Sequence, residues 1–213
     1  MDQSLFCLNM TFDRIQKLAR RHRLVLGSRS PRRVELLTEM GIRFEQMVSA
    51  VDEQQLPGED PFMYAERLAR EKALWVSSRC APQRVVLGCD TVVVLDGEIM
   101  DKPTSETDAL ETLLRLSGNT HTVATALALV RAREVLASGH EKTTVVFNAV
   151  SARRIEEYIR TGEPMDKAGA YGIQGMGAFL VDRIEGNLDT VIGLPRNLLD
   201  GLAGAVPGIC TEA

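Results

Sequence analysis

Two short segments carry the residue types best suited to ligand chemistry. The first, residues 27–33, reads Gly-Ser-Arg-Ser-Pro-Arg-Arg and ends where a helix is predicted to begin. A helix N-terminus offers unpaired N–H groups and partial positive charge, and arginine adds bidentate bonds to phosphate oxygens. Ser30, Arg32 and Arg33 therefore predict an anion site. An ordinary helix cap with solvated arginines fits the same residues.

The second segment, residues 166–175, is a small-residue loop that reads Asp-Lys-Ala-Gly-Ala-Tyr-Gly-Ile-Gln-Gly. Its glycines allow a ligand to approach the backbone closely, and Gln174 offers both a donor and an acceptor to a base edge. The glycine order is reversed relative to a dinucleotide fingerprint, and no helix follows. A plain glycine-rich turn is the alternative. Together the two segments fit a nucleotide.

Charged residues between these segments could supply catalysis. Asp90 lies between Gly88 and Thr91 at a predicted strand end, a common place for a metal ligand or general base, and also for an aspartate that caps backbone. Taken alone, Glu53 in a polar loop and Lys72 on a helix read as surface charges. Lys102, after a predicted hairpin, is ambiguous in the same way.

The elements that must position these residues follow from apolar spacing and from turn and capping signals. Helices are predicted at residues 12–19, 30–40, 61–78, 105–117 and 153–160 and after residue 195. Strands are predicted at residues 23–27, 43–51, 85–87, 92–94, 120–131, 143–149 and 178–184, with a hairpin turn at residues 96–97 and a loop near Gly139. Helices and strands do not alternate strictly, so one compact α/β unit with a cleft is expected rather than a doubly wound fold.

Composition restricts the function classes. The chain has 213 residues and a formal net charge of −4, which disfavours a nucleic-acid partner. Its four cysteines show no CxxC spacing, which argues against a zinc site or disulfide framework and favours a reducing cytoplasm. No apolar run approaches the roughly 20 residues that span a membrane, so no membrane partner is expected.

Combined in this order, the motifs resemble the Maf family of nucleoside triphosphate pyrophosphatases, also called septum formation proteins. The resemblance runs from about Leu24 to Leu199. It predicts an N-terminal helical extension (1–22), a single catalytic domain (23–205) and a C-terminal tail (206–213). The residues that carry it are Ser30-Pro31-Arg32-Arg33, Glu53, Lys72, Gly88-Cys89-Asp90-Thr91, Asp101-Lys102-Pro103, Leu116-Ser117-Gly118 with His121, and Gly162-Glu163-Pro164 leading into the 166–175 loop.

The resemblance implies an elongated mixed sheet, as in inosine triphosphate pyrophosphatases, with two lobes flanking a nucleotide cleft. It implies hydrolysis between the α and β phosphates with a divalent cation, and it is compatible with a homodimer. Asp90 falls on the family's proton acceptor. Arg32, Thr91 and Gln174 fall on positions tied to substrate choice and match the dTTP/UTP subgroup. Cys89 departs from the family's usual small residue.

A mechanism consistent with these residues needs charge neutralisation and positioning above all. Arg32, the helix N-terminus at Ser30, Lys72 and Lys102 are expected to hold the triphosphate, and Arg33 is a further candidate substrate-binding residue. Asp90 and Glu53 are expected to bind Mg²⁺ or Mn²⁺, hard cations that prefer oxygen ligands. Asp90 would activate water directly or through the metal. A nucleotide-sensing regulator of cell division that binds without turnover is the alternative, and an enzyme for purine or modified nucleotides is a third.

Overall fold

A computed structural model describes residues 12–209 of the chain. Seven α-helices are assigned in that part: α1 (Asp13–His22), α2 (Pro31–Glu39), α3 (Pro61–Ser77), α4 (Glu106–Leu116), α5 (Ala152–Ile159), α6 (Leu188–Ile192) and α7 (Arg196–Ala205). The strands are β1 (Leu24–Leu26), β2 (Phe44–Gln46), β3 (Val85–Leu95), β4 (Glu98–Ile99), β5 (Thr120–Arg131), β6 (Glu134–Phe147) and β7 (Val181–Glu185). Three 3-10 turns lie between α5 and β7: Glu163–Asp166, Ala168–Ala170 and Met176–Leu180.

The strands form one mixed sheet in the order β2-β1-β3-β5-β6-β7, with β4 paired to β3. The β1 strand runs parallel to β2 and β3, and all other pairs are antiparallel. The long β3, β5 and β6 strands are the centre of the molecule. This architecture confirms the predicted α/β class with a mixed rather than doubly wound sheet.

The β3 strand is continuous, so the prediction of two strands with Asp90 at a strand end is wrong. The β5 strand pairs with it without interruption from Val85 to Val94, and Asp90 lies opposite Ala126. Gly88 does not break the strand, because its missing side chain makes room for α3. A Cβ there would overlap the carbonyl oxygen of Ala69 and lie 2.8 Å from the Cβ of Ala73.

The other edge of β3 is only partly covered. The β1 strand pairs with Val86 and Leu87, and β4 pairs with Val94 and Leu95. Between these two contacts, no described strand pairs with β3 on this side. Side chains alternate between the faces of a strand, so Asp90 and Thr91 point to opposite faces. Both can reach the same cleft because the strand edge between them is open.

Three apolar clusters cover the sheet, and two of them share one face. Helix α3 packs on the face that carries Val86, Val92 and Val94. On the opposite face, the α2 and α7 helices pack around Leu87 and Cys89, while α4 and α5 pack around Val93. Thr91 lies between these two clusters in the strand, so the cleft opens where one core ends and the next begins.

Helix α1 is confirmed at the predicted place and packs into the core beside α7. Ile15 and Leu18 are fully buried, in the same cluster as Leu199. The Asp200 carboxylate accepts the N–H groups of Arg14 and Ile15, each at 3.0 Å. Residues 12–22 are therefore built into the hydrophobic core. The division into extension, domain and tail stays a prediction, and residues 1–11 and 210–213 lie outside the described part.

The predicted loop near Gly139 is wrong, because β6 begins at Glu134 and Gly139 lies within it opposite Leu127. The chain turns instead at Ala132 and Arg133, which adopt positive φ angles of 51° and 65° without a glycine. Gly139 faces the side chain of Leu198 at 3.7 Å from its absent Cβ. That is an ordinary van der Waals distance, so Gly139 marks neither a turn nor a position where α7 excludes a side chain.

The remaining elements follow the sequence prediction with smaller differences. The predicted strand at residues 43–51 is only Phe44–Gln46, and the last strand begins at Val181 after a 3-10 turn. The short helix Leu188–Ile192 had no sequence prediction. In the part of the chain described, no helix combines the length and the hydropathy needed to cross a bilayer.

Candidate active site

A cleft of about 780 Å³ opens beside the uncovered edge of β3. That volume lies in the range of small-molecule sites. Its walls come from the start of α2, the loop before α3, the middle of β3 and the loop after α5. Every residue predicted for the site lines it: Ser30, Arg32, Arg33, Glu53, Lys72, Asp90, Thr91, Lys102 and Gln174. Residues far apart in sequence therefore meet in one place.

The centre of the cleft is a lysine held between two carboxylates. Lys72 Nζ lies 2.6 Å from Asp90 Oδ1 and 2.9 Å from Glu53 Oε1. Lys72 and Asp90 are buried, whereas the side chain of Glu53 is 47% exposed. The close approach of α3 to β3 at Gly88 brings the lysine within reach of Asp90. Lys72 is thus not the solvated surface charge that its helix alone would suggest.

The two carboxylates differ in their acidity because their surroundings differ. Burial raises the pKa of Asp90 above its ordinary value, more than the charges of Lys72 and Arg33 lower it. Burial also raises the pKa of Glu53, but there the hydrogen bond from Lys72, with the Lys72 and Lys102 charges, outweighs burial and leaves a lowered pKa. A buried carboxyl of raised pKa beside an ionised one can accept a proton at a useful pH.

The loop that carries Glu53 is fixed by a tyrosine that the sequence analysis missed. The hydroxyl of Tyr64, in the first turns of α3, donates to the backbone carbonyl of Glu53 at 2.8 Å. Tyr64 is only 5% exposed. Its position four residues after the helix N-cap Asp60 gave no signal of this contact, because the partner is a backbone group in an irregular loop.

The start of α2 presents free donors to the cleft. Ser30 is at the N-cap position, as predicted, but its side chain makes no capping hydrogen bond. Pro31 follows at the first helical position and has no N–H to offer. Arg32 lines the cleft, and its side chain makes no hydrogen bond or ion pair with any of residues 12–209. Its guanidinium is available to an anion.

Arg33 is engaged with the protein. Its Nε donates to the carbonyl of Gly193 at 2.9 Å, and one terminal nitrogen donates to Ser28 Oγ at 2.9 Å and to the carbonyl of Cys89 at 3.2 Å. The other terminal nitrogen donates to Thr91 Oγ1 at 2.9 Å. Four of the five guanidinium N–H groups are thereby used. Arg33 joins α2, β3 and the loop before α7, while Arg32 stays open to a ligand.

Arg33, Thr91 and Thr125 form a row of hydrogen-bonded side chains that leads into the sheet. The Oγ1 of Thr91 lies 2.8 Å from Oγ1 of Thr125, the residue directly opposite on β5. Thr125 is fully buried and donates to the carbonyl of Thr190 in α6 at 2.7 Å. Thr125 lies on the same face of β5 as the buried Leu127, and its hydrogen-bond partners come from β3 and α6, which are distant in the sequence.

Lys102 and Gln174 are exposed on the cleft wall and make no hydrogen bond with another described residue. Gln174 lies in the loop between two 3-10 turns, and the element that follows this loop is the 3-10 turn Met176–Leu180 rather than an α-helix. The loop forms one wall of the cleft, with the start of α2 among the others. The two sequence segments therefore line the same cleft.

Two carboxylates are available to hold a cation. The second oxygens, Asp90 Oδ2 and Glu53 Oε2, accept no hydrogen bond from described residues. Between residues 12 and 209, no group of three or more His, Cys, Asp or Glu side chains is arranged to hold a metal. A cation here would need phosphate oxygens and water to complete its shell, which is how Mg²⁺ commonly binds with one or two carboxylates.

Comparison with known proteins decides the family. The family profile described as Maf-like protein matches residues 23–204. The chain belongs to the Maf family. Three similar Maf relatives are named dTTP/UTP pyrophosphatase. The relative from Symbiobacterium thermophilum is 50% identical over 172 residues, covering 81% of this chain and 88% of its own.

The other two relatives are bacterial as well. That from Vibrio cholerae is 47% identical over 180 residues and covers 84% of this chain and 96% of its own. That from Escherichia coli O157:H7 is 45% identical over 172 residues, covering 81% and 87%. Among solved structures, a nucleoside-triphosphatase named dITP/XTP pyrophosphatase from Mycobacterium abscessus aligns with 60% of this chain and 75% of its own. The identity is 15% and the TM-score 0.36, a similarity too low to carry an argument.

Proposed function

We propose that this Maf protein hydrolyses dTTP and UTP to the monophosphate and pyrophosphate. The observation that carries the proposal is the Lys72–Asp90 pair at the open edge of β3, in the cleft that also holds the free Arg32 guanidinium. The names of the three relatives support the same activity. Arg32, Thr91 and Gln174 match the pyrimidine subgroup, which supports the same substrate choice.

Binding of the triphosphate is assigned to the cationic wall of the cleft. Arg32 holds phosphate oxygens together with the backbone N–H groups of the first turn of α2 other than that of Ser30, which donates to Ser28 Oγ. Lys102, on the cleft wall, also holds the phosphates. Arg33 contributes mainly by holding the α2 start against β3, with one N–H left for substrate. Gln174 reads the pyrimidine edge. Unpaired groups left by a mismatched base would make the wrong substrate costly.

The chemical step is attack of water on the α-phosphorus. A P–O bond forms from the water oxygen, and the bond from the α-phosphorus to the bridging oxygen breaks. Pyrophosphate leaves with the bonding electrons, and Asp90 takes the proton from the attacking water. Lys72 holds Asp90 and Glu53 in place and keeps positive charge beside the developing negative charge. These positioning and electrostatic contributions are the main sources of catalysis for phosphoryl chemistry.

A divalent cation, Mg²⁺ or Mn²⁺, belongs to the same proposal. Glu53 and Asp90 would hold it through their second oxygens together with phosphate oxygens. When bound, such a cation neutralises phosphate charge and polarises the group under attack. The protein's own residues still set the position of the substrate and accept the proton.

The test measures pyrophosphate and orthophosphate release from canonical and base-modified triphosphates, with Mg²⁺ or Mn²⁺, for wild type and Asp90→Asn. We expect metal-dependent release of pyrophosphate from UTP and dTTP and a fall in kcat of about 10²-fold or more in the variant, as for a lost acid–base group. The matched control is Asp96→Asn, the same change in the exposed β3–β4 turn. Asp96 has a φ of 51°, which asparagine tolerates.

Three outcomes would contradict the proposal. Orthophosphate as the product would place cleavage at the β–γ bond. Near-wild-type kcat in Asp90→Asn would remove Asp90 from the reaction. Nucleotide binding with no turnover of any substrate would favour the sensor alternative.

A further inference from the structure

The loop that carries Gln174 is tied to a carboxylate of the protein itself. Glu163 Oε2 accepts the N–H of Met176 at 2.8 Å, and Oε1 accepts the N–H of Gly177 at 3.2 Å. Backbone N–H groups in a glycine-rich loop commonly cradle a phosphate. Here these two are already occupied by Glu163. The loop is therefore held from within and presents the amide of Gln174 to the cleft.

A tyrosine completes the anchor on the other side of Gln174. The hydroxyl of Tyr158, in α5, donates to Glu163 Oε1 at 2.9 Å and accepts the N–H of Gly172 at 3.1 Å. Tyr158 is 3% exposed and packs edge-on against Phe179. The backbone is thus fixed two residues before Gln174 and two residues after it.

The glycine spacing follows from this anchor. A Cβ on Gly172 would lie 2.9 Å from Glu163 Oε1, and a Cβ on Gly177 would lie 2.5 Å from the Tyr158 oxygen. A Cβ on Gly175 would overlap Glu163 Oε2. All three contacts are closer than real Cβ atoms make. The glycine order that departs from a dinucleotide fingerprint places glycines where a Cβ would push against the Glu163 carboxylate or the Tyr158 hydroxyl.

The anchor is anionic at neutral pH. Burial raises the pKa of Glu163, but the Met176 N–H, the Tyr158 hydroxyl and the Gly177 N–H together outweigh burial and leave the pKa below its ordinary value. Hydrogen bonds to an ionised acceptor are the stronger kind. A glutamine in place of Glu163 has the same shape but no charge, so it would be a weaker acceptor. Its amide would also bring N–H donors toward the N–H groups of Met176 and Gly177.

We propose that Glu163, supported by Tyr158, is a positioning residue that fixes Gln174 and thereby sets the selectivity of the cleft among pyrimidine bases. The proposal rests on the proposed function, because base selectivity is read through turnover of nucleoside triphosphates. Glu163 itself does not act on the reacting phosphorus. It acts through the loop.

The experiment compares Glu163→Gln, Tyr158→Phe and wild type on UTP, dTTP and CTP at neutral pH. In Glu163→Gln, KM for UTP is expected to rise about tenfold with kcat changed little, and the preference for UTP over CTP is expected to fall by a similar factor. Tyr158→Phe, which keeps the carboxylate, is expected to shift both quantities in the same direction by less. The matched control is Glu157→Gln, which should leave both unchanged. Glu157 is an exposed glutamate on α5 whose ion-pair partner among the described residues is Arg153.

A second readout does not depend on turnover. Amide hydrogen exchange of residues 172–177 is measured without nucleotide, and exchange is expected to be faster in Glu163→Gln than in wild type or Glu157→Gln. Unchanged selectivity, or unchanged exchange in that segment, would overturn the positioning role. A kcat loss equal for all bases at constant KM would also overturn it. If wild type turns over no nucleotide, the proposed function fails, and the exchange result alone still decides whether Glu163 orders the loop.

Discussion

Lys72 Nζ and Asp90 Oδ1 are 2.6 Å apart in an ion pair that is buried on both sides. The lysine lies on α3 and the aspartate in the middle of β3, so the pair joins a helix to the strand beneath it. Glu53 reaches the same lysine from a loop. This arrangement links stability to chemistry, because the residue assigned to accept a proton is also the residue that the buried lysine neutralises.

Removing the lysine should leave Asp90 buried without its partner. Lys72→Met is expected to lower the free energy of unfolding by about 3–5 kcal/mol, the usual cost of breaking a buried ion pair from one side. Urea denaturation measures this. The comparison is Arg153→Gln, which breaks a pair whose arginine is 88% exposed and should cost well under 1 kcal/mol, or about nothing. Equal losses in the two variants would contradict the role of the buried pair.

The pH dependence of kcat/KM should report Asp90. Its pKa lies above the ordinary 3.8, chiefly because of burial, and a base must be ionised, so activity should fall as the pH drops through that raised value. Glu53→Gln removes a negative charge that raises the pKa of Asp90. The acid inflection should therefore move to lower pH in that variant, although its rate is reduced. Both proteins are measured on the same substrate, so ionisation of the substrate phosphates contributes equally to the two pH profiles. An acid inflection at the same pH in both proteins would exclude Asp90 as its source.

Tyr64 should matter for the position of Glu53. Tyr64→Phe deletes the hydrogen bond to the Glu53 carbonyl and is expected to cost about 1 kcal/mol of stability. The Mg²⁺ concentration for half-maximal activity should rise, with kcat at saturating metal nearly unchanged. Ser78→Ala is the control, since it deletes a hydroxyl bond to the Trp75 carbonyl at the far end of α3. A metal requirement raised equally in the control would contradict a specific effect on Glu53.

Gly88 should tolerate no side chain. Gly88→Ala places a Cβ against the Ala69 carbonyl and Ala73, so α3 must move away from β3, and the expected loss is about 1–3 kcal/mol or more. Because α3 carries Lys72, activity should fall as well. Gly201→Ala is the matched control: its Cβ would meet nothing within 4 Å in α7, and it should stabilise by about 0.5–1 kcal/mol. Thermal or urea unfolding measures both variants, and we expect a loss of stability in Gly88→Ala and a gain in Gly201→Ala.

The sequence predicted most helices because their signals are local. Pro31, Pro61 and Ser105 mark three helix starts that the structure confirms. Glycine misled the strand prediction at two positions. Gly88 and Gly139 suggest interruptions in the sequence, but both lie inside strands. At Gly88 the missing side chain admits α3, whereas at Gly139 a Cβ would make only ordinary contacts. The sequence does not distinguish a glycine that turns the chain from one inside a strand.

The site was predictable as a set of residues but not as a network. The predicted residues meet in one cleft, yet their division of labour depends on contacts across large sequence separations. Arg32 and Arg33 look equivalent in sequence, and only the structure shows Arg33 bound to Gly193 and Thr91. Tyr64, Thr125 and Glu163 were not predicted for the site, because each acts through a backbone group or through another side chain.

The row from Arg33 through Thr91 and Thr125 has a fixed direction. A guanidinium can only donate and a carbonyl can only accept, so the row must begin at Arg33 and end at Thr190. Thr125 donates its single hydroxyl proton to that carbonyl. In the hydrogen bond between the two threonines, Thr91 must therefore be the donor and Thr125 the acceptor. Toward any other group, the Thr91 hydroxyl presents only a lone pair. A base that meets this hydroxyl has to bring its own hydrogen, as the imide N–H of uracil or thymine does and the bare ring nitrogen of cytosine does not.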